Sequence, residues 1–165
     1  MLWPCRSRSP SSLAALWALV GVASGAGPVA GQSIAVVANS GVPVAEVTLG
    51  DLNNYFTFAR RSLPGGQRVT LFLPAVGSVT RSVLLKQVYH MDDPQLRRFL
   101  LEKIYQGDID AQPRVAASDA ELVGLLASTP GGLTLLPVEI AAAAKLKILK
   151  VNGKAPGETG YMLKP

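Results

Sequence analysis

Residues 71–85 combine the signals of a buried strand, a tight loop and a helix start, and they constrain the fold more than any other stretch of the chain. An apolar run over 69–73 predicts a short strand, and residues 74–77 predict a tight loop. Ser78 predicts a helix N-cap, because apolar residues follow it at helical spacing as far as about Tyr89. This order of elements is typical of an α/β domain.

The predicted helix start is also the first candidate binding site. The first N–H groups of a helix have no intrahelical acceptor, and the positive end of the helix dipole favours anions. Two hydroxyls and one cation lie close by in the sequence. The candidate anion-binding residues are Gly77, Ser78, Val79, Thr80 and Arg81. A helix cap without a ligand is the alternative.

The N-terminal segment has the three parts of a secretory signal peptide. Arg6 and Arg8 precede an apolar run, and a small-residue step follows near Ala26. We expect cleavage after residue 26, or as late as residue 31, and therefore a periplasmic or secreted protein. A membrane anchor is the alternative, but the apolar run is shorter than the ~20 residues that a membrane-spanning helix needs. No stable membrane span is expected after cleavage.

Cysteine and charge exclude several classes of function. The single cysteine, Cys5, lies inside the predicted signal, so we expect no disulfide framework and no cysteine chemistry in the mature chain. The chain has 16 basic and 11 acidic residues, and removing Arg6 and Arg8 leaves a net charge of about +3. The basic residues are scattered with few aromatic residues between them, so nucleic-acid binding is not expected.

Other elements follow from apolar runs that alternate with capping and turn signals. Strands are predicted at 33–38, 115–116, 133–136 and 146–151, and helices at 49–58, 93–104, 119–128 and 138–144. The continuous apolar run of the first strand is typical of a parallel sheet that is buried on both faces. Asp93 is expected to cap its helix, with Pro94 at the first helical position. The tail, 152–165, contains three Gly and two Pro and is expected to be flexible.

The sequence therefore predicts an α/β domain over residues 33–151, with a mostly parallel sheet flanked by helices. In such sheets, ligands bind beyond the carboxyl ends of strands, where the loop before Ser78 must lie. Arg60 and Arg61 could assist if their loop folds over this cleft. A solvated helix end is the alternative.

Catalytic and metal-binding functions have little support. His90 is the only histidine, and we expect it at a helix end on the surface. No metal-ligand set, nucleophile motif or carboxylate pair is apparent, so we expect neither an enzyme nor a bound cofactor.

Five weak motifs in order resemble the phosphate-receptor branch of the type II periplasmic binding proteins, and in particular its short relatives of single-lobe size. The motifs run Val47–Leu52 with Tyr55–Phe56, then a strand, Gly77–Arg81, Ala117–Val123 and Thr129–Leu133. The resemblance covers about residues 33–151.

This resemblance implies a lobe of that fold and a substrate-binding protein of an ABC transporter for phosphate. It implies that Ser78 and Thr80 correspond to a Ser-Gly-Thr step that holds phosphate, with Val79 in place of the glycine. The implied partners are a small oxyanion such as phosphate and an envelope transporter or accessory protein. The alternative is a non-catalytic envelope module that has lost its ligand.

Overall fold

The computed structural model describes residues 33–165, so the predicted signal segment, 1–26, lies outside the described residues. The strands are β1 (Ile34–Ala38), β2 (Glu46–Val47), β3 (Thr70–Leu73), β4 (Arg114–Val115), β5 (Gly132–Pro137) and β6 (Lys147–Val151). The helices are α1 (Leu49–Phe56), α2 (Val79–Val83), α3 (Asp93–Tyr105), α4 (Asp119–Ser128) and α5 (Val138–Ala143). A π-helical segment, Leu84–Tyr89, continues α2 without a break, so the predicted helix from Ser78 to Tyr89 is confirmed.

All six strands form one sheet in the order β2-β6-β1-β5-β3-β4. The β2–β6, β3–β5 and β3–β4 pairs are parallel, whereas β1 is antiparallel to both of its neighbours. Five strands therefore run in one direction and β1 runs in the opposite one. The predicted fold class, an α/β domain with a mostly parallel sheet flanked by helices, is confirmed, but the interpretation of β1 as a parallel strand is wrong. Burial on both faces explains its apolar run, and either strand direction permits that burial.

Side chains of β1 alternate between two apolar layers. Ile34, Val36 and Ala38 lie in the layer formed with α1, the α2 segment and α3. Ala35 and Val37 lie in the layer formed with α4 and α5. The sheet is therefore sandwiched between helices, and β1 is completely buried at its centre.

Local capping signals begin four of the helices, and one differs from its prediction. The Thr48 side chain accepts a hydrogen bond from the Asp51 N–H in a capping box that begins α1. Asp92, not Asp93, caps α3, with the side chain of Gln95 completing the box. Asp93 becomes the first helical residue, and this frees its carboxylate for a contact described below.

The C-terminal tail returns to the sheet. Tyr161 and Leu163 are buried, with exposed fractions of 3% and 0%. The Ile34 N–H donates to the Leu163 carbonyl at 3.2 Å, and the Tyr161 hydroxyl donates to the Ile34 carbonyl at 2.8 Å. The sequence predicted a flexible, poorly packed tail, but this part of it belongs to the core. Within residues 33–165, no helix is long and apolar enough to cross a membrane.

The sheet has two ends that matter for function. We call the end where β3 and β5 finish the carboxyl edge, and the opposite end the amino edge. Ile34 pairs with Pro137 at the end of β5, so the tail packs at the carboxyl edge. The loop that follows β3 emerges at the same edge, as expected for a ligand site of an α/β sheet.

Candidate functional site

The loop after β3 turns sharply to start α2. The Ser78 N–H donates to the Ala75 carbonyl at 3.1 Å and closes the turn. Gly77 has a φ of +81°, a conformation that favours glycine, and the space where a Cβ would lie is open. The backbone of this loop is therefore accessible from solvent on the Gly77 side.

The start of α2 presents backbone donors. The Ser78 hydroxyl oxygen accepts a hydrogen bond from the Arg81 N–H at 3.1 Å, so the predicted cap is confirmed. The N–H groups of Val79 and Thr80 find no acceptor among the described residues. Two amides and the positive end of the helical segment therefore remain for an outside acceptor.

Side chains at this corner divide into exposed and buried groups. Val76 and Val79 are 69% and 50% exposed, whereas Thr80 and Arg81 are only 3% and 7% exposed. These two valines therefore stand at the surface beside the start of α2. Solvent therefore meets backbone and apolar side chains here, and the predicted polar side chains of Thr80 and Arg81 lie inside.

Arg81 is held by contacts within the protein. Its Nε donates to Asp93 Oδ1 at 2.6 Å, and its Nη1 donates to the Pro74 carbonyl at 3.0 Å. These bonds tie α2 to the start of α3 and to the loop after β3. The positive charge that the sequence assigned to anion binding is therefore balanced by Asp93.

A buried tyrosine lies near Arg81. The Tyr89 ring packs edge-on against Phe56, with 5.7 Å between the ring centroids. Its hydroxyl has no hydrogen-bond partner among the described residues. Burial raises the pKa of the Tyr89 phenol, and the positive charge of Arg81 offsets part of that rise. Tyr89 therefore stays neutral at physiological pH.

The other predicted cations lie elsewhere. Arg60 and Arg61 line a groove of about 470 Å³ beside the start of β3, together with Arg68 and Arg114. We call this the arginine groove; the segment 108–113 forms its other side. Periodicity could not reveal it, because its walls come from three separate segments of the chain. The structure does not bring Arg60 and Arg61 to the Ser78 corner.

His90 is exposed at the end of the helical segment, as predicted, in a left-handed conformation. No cluster of three side chains of metal-ligating type occurs between residues 33 and 165.

The sequence matches no protein-family model and no curated protein. Solved structures do resemble the fold. PstS from Borrelia burgdorferi superposes with a TM-score of 0.62 at 13% identity, over 80% of this chain and 54% of that one. An ABC-type phosphate transport receptor from Vibrio cholerae gives a TM-score of 0.61 at 14% identity, over 79% of this chain and 53% of that one.

The chain thus spans about half the length of the receptors it resembles. At such low identity the likeness concerns the fold alone. The described residues therefore share the α/β fold of about half of each of these two structures.

Proposed function

We propose that this chain is an exported, non-catalytic binding protein that holds a small oxyanion, phosphate by default, at the start of α2. The observation that carries this proposal is the pair of N–H groups at Val79 and Thr80, which have no acceptor among the described residues and lie next to the open backbone of Gly77. Backbone amides at a helix start are good ligands for tetrahedral anions. The names of the similar structures, a PstS protein and a phosphate transport receptor, support phosphate as the first ligand to test.

The Ser78 hydroxyl could bind an anion while it caps the helix. Its oxygen accepts from the Arg81 N–H, which leaves the hydroxyl hydrogen to donate to an anion. Arg81 would favour a bound anion only through the electrostatic field of its positive charge, because its guanidinium group is already paired with Asp93. Thr80 would contribute its amide and not its buried hydroxyl.

Binding at this corner should be weak. The chain spans only about half of the length of the similar structures, and its described part places no second lobe over the corner. An anion here would keep part of its hydration, which weakens charge-assisted hydrogen bonds. We expect a dissociation constant of about a millimolar for a lobe of this size.

A second function is favoured by a specific observation. Val76 and Val79 are large apolar side chains that stand exposed at the rim of the corner. Exposed apolar residues around a polar centre are typical of a protein-contact surface. The alternative is therefore an envelope accessory module that contacts a partner, such as a transporter subunit, and has lost its ligand.

The two functions can be separated with Val79→Pro. Proline is tolerated at the first helical position, and Ser78 already has the extended backbone that precedes a proline, with φ −73° and ψ 152°. The substitution removes the Val79 N–H with little effect on the helix. Asp119→Pro is the matched control at the first position of α4, where Ser118 is also extended.

Isothermal titration with phosphate and sulfate gives the readout. The binding proposal expects heat that is lost in Val79→Pro and retained in Asp119→Pro. No heat up to about 10 mM of either anion would support the interaction module instead. Ser78→Ala should weaken binding less, and it should cost about 1 kcal/mol of stability through the lost cap.

A further inference from the structure

The arginine groove lies away from the Ser78 corner. Its floor is largely apolar, with Tyr55, Phe58, Leu71 and Ile109 among the lining residues. Four arginines stand around that floor and come from the loop after α1, the start of β3 and β4. Only two acidic residues, Asp108 and Asp110, line the same groove. A groove with an apolar floor and four lining arginines fits an elongated ligand with several negative charges.

Each groove arginine pairs with an acid at the surface. The pairs are Arg60–Asp51 at 3.1 Å, Arg61–Asp108 at 3.2 Å, Arg68–Asp110 at 3.1 Å and Arg114–Glu121 at 2.9 Å. The arginine side chains are between 48% and 73% exposed. Exposed ion pairs of this kind contribute little to stability and exchange readily.

Three of the four acids have a second partner in the fold. Asp51 accepts from the Thr48 hydroxyl at 2.8 Å, and Asp108 accepts from Lys103 at 2.8 Å. Glu121 accepts from the Ala117 N–H at 2.8 Å. These carboxylates would not be left without a donor if their arginines turned to a ligand. The guanidinium groups can therefore be recruited at low cost.

The groove also borders β4, the outermost strand on one side of the sheet. β4 is the last strand in the order and has only two residues, Arg114 and Val115, paired with Phe72 and Leu73 of β3. No described strand covers its outer side, and Val115 is 44% exposed. An exposed edge can accept a further extended segment through its backbone groups.

We propose that the arginine groove binds an acidic, extended peptide segment of a partner protein. Charge complementarity with four exposed guanidinium groups selects acidic side chains. The apolar floor accepts the alternate side chains of an extended chain, and β4 offers an edge for its backbone. This site is separate from the oxyanion corner, so neither proposal depends on the other.

The test uses fluorescence anisotropy with a labelled eight-residue peptide of alternating Glu and Val. The probe variant is Arg68→Gln/Arg114→Gln, which removes two exposed groove charges. The matched control is Arg97→Gln/Arg98→Gln, which removes the same charge from an exposed pair on α3, outside the groove. We expect about tenfold weaker binding for the probe variant and a change of less than about twofold for the control, because only the probe variant removes charges that line the groove.

Four further measurements test the peptide site. Rising salt should weaken the peptide complex, and a peptide of alternating Gln and Val should bind at least about tenfold more weakly. Equal losses in both double variants would overturn the site, as would an absence of binding at millimolar peptide. Displacement by citrate at equal carboxylate concentration would overturn the peptide assignment in favour of a small polyanion. Val79→Pro should leave peptide affinity unchanged, so failure of the oxyanion proposal is measured separately.

Discussion

Arg81 and Arg68 both pair with an aspartate, yet their environments differ in nearly every respect. The side chain of Arg81 is 8% exposed and lies 2.6 Å from Asp93 Oδ1. The side chain of Arg68 is 73% exposed, and its partner Asp110 is 88% exposed, at 3.1 Å. Arg81 adds a bond to the Pro74 carbonyl, whereas no second bond of Arg68 is seen within residues 33–165.

The difference shows that burial decides what an arginine does in this protein. A buried guanidinium must have its donors satisfied inside the fold, so Arg81 fastens the loop after β3 to the helices around it. An exposed guanidinium keeps its hydration and can change partners. The carboxyl edge is therefore built by buried contacts, and the amino edge carries charges that remain available.

The substitution with the largest expected effect tests whether the C-terminal tail is buried at the carboxyl edge. Leu163→Ala should lower the free energy of unfolding by about 3 kcal/mol, because a fully buried leucine leaves a cavity next to β1. Met162→Ala is the control; Met162 is 47% exposed and should change stability by less than about 0.5 kcal/mol. Urea denaturation followed by circular dichroism measures both. Equal effects would mean that the tail is not docked at this edge in solution.

A direct comparison of the two arginines should give the next largest effect. Arg81→Met should cost about 2 kcal/mol, since it leaves the Pro74 carbonyl without its donor and Asp93 without its cation. Arg68→Met should stay within about 0.5 kcal/mol. Urea denaturation again gives the readout. Similar losses of stability in the two variants would contradict the expected difference between the buried and the exposed arginine.

The smallest effect concerns the acids beside the arginine groove. A hydrogen bond from Lys103 lowers the pKa of Asp108, and the Ala117 N–H, followed by Arg114, lowers the pKa of Glu121. A carboxyl whose pKa is lower in the folded state stabilises the fold above its unfolded pKa and loses that contribution as pH falls through the folded value. We therefore expect a small loss of stability below about pH 4.

The urea midpoint measured between about pH 6 and pH 3 should reveal this loss. Asp108→Asn/Glu121→Gln should flatten the acid limb of the profile slightly. If the urea midpoint of this variant falls with pH as steeply as that of the unmodified chain, these two exposed carboxylates make no measurable contribution to stability.

Much of the fold could be predicted from local patterns. The Ser78 cap, the strand before it and the capping box at Thr48 were predictable, because the residues that form them are neighbours in the sequence. The observed boundaries of these elements differ from the predicted ones by one or two residues. Helix α1, for example, ends at Phe56 and not at residue 58. β2 was missed, since two residues carry no usable periodicity.

The candidate site was predictable only in its backbone. The helix start and the turn before it follow from Gly77 and Ser78, and both are present. The roles of the neighbouring side chains were not predictable. Arg81 is oriented by Asp93, twelve positions away, and no local pattern indicates that contact.

The sequence by itself determined the α/β class, the order of most elements and the helix that begins after Ser78, because capping residues and apolar spacing act over a few positions. Only the tertiary structure decided the direction of β1, the burial of the tail at Leu163, the pairing of Arg81 and the assembly of the arginine groove. Each of these depends on contacts between distant segments. Periodicity records that a side chain is buried, but it carries no information about which segment buries it.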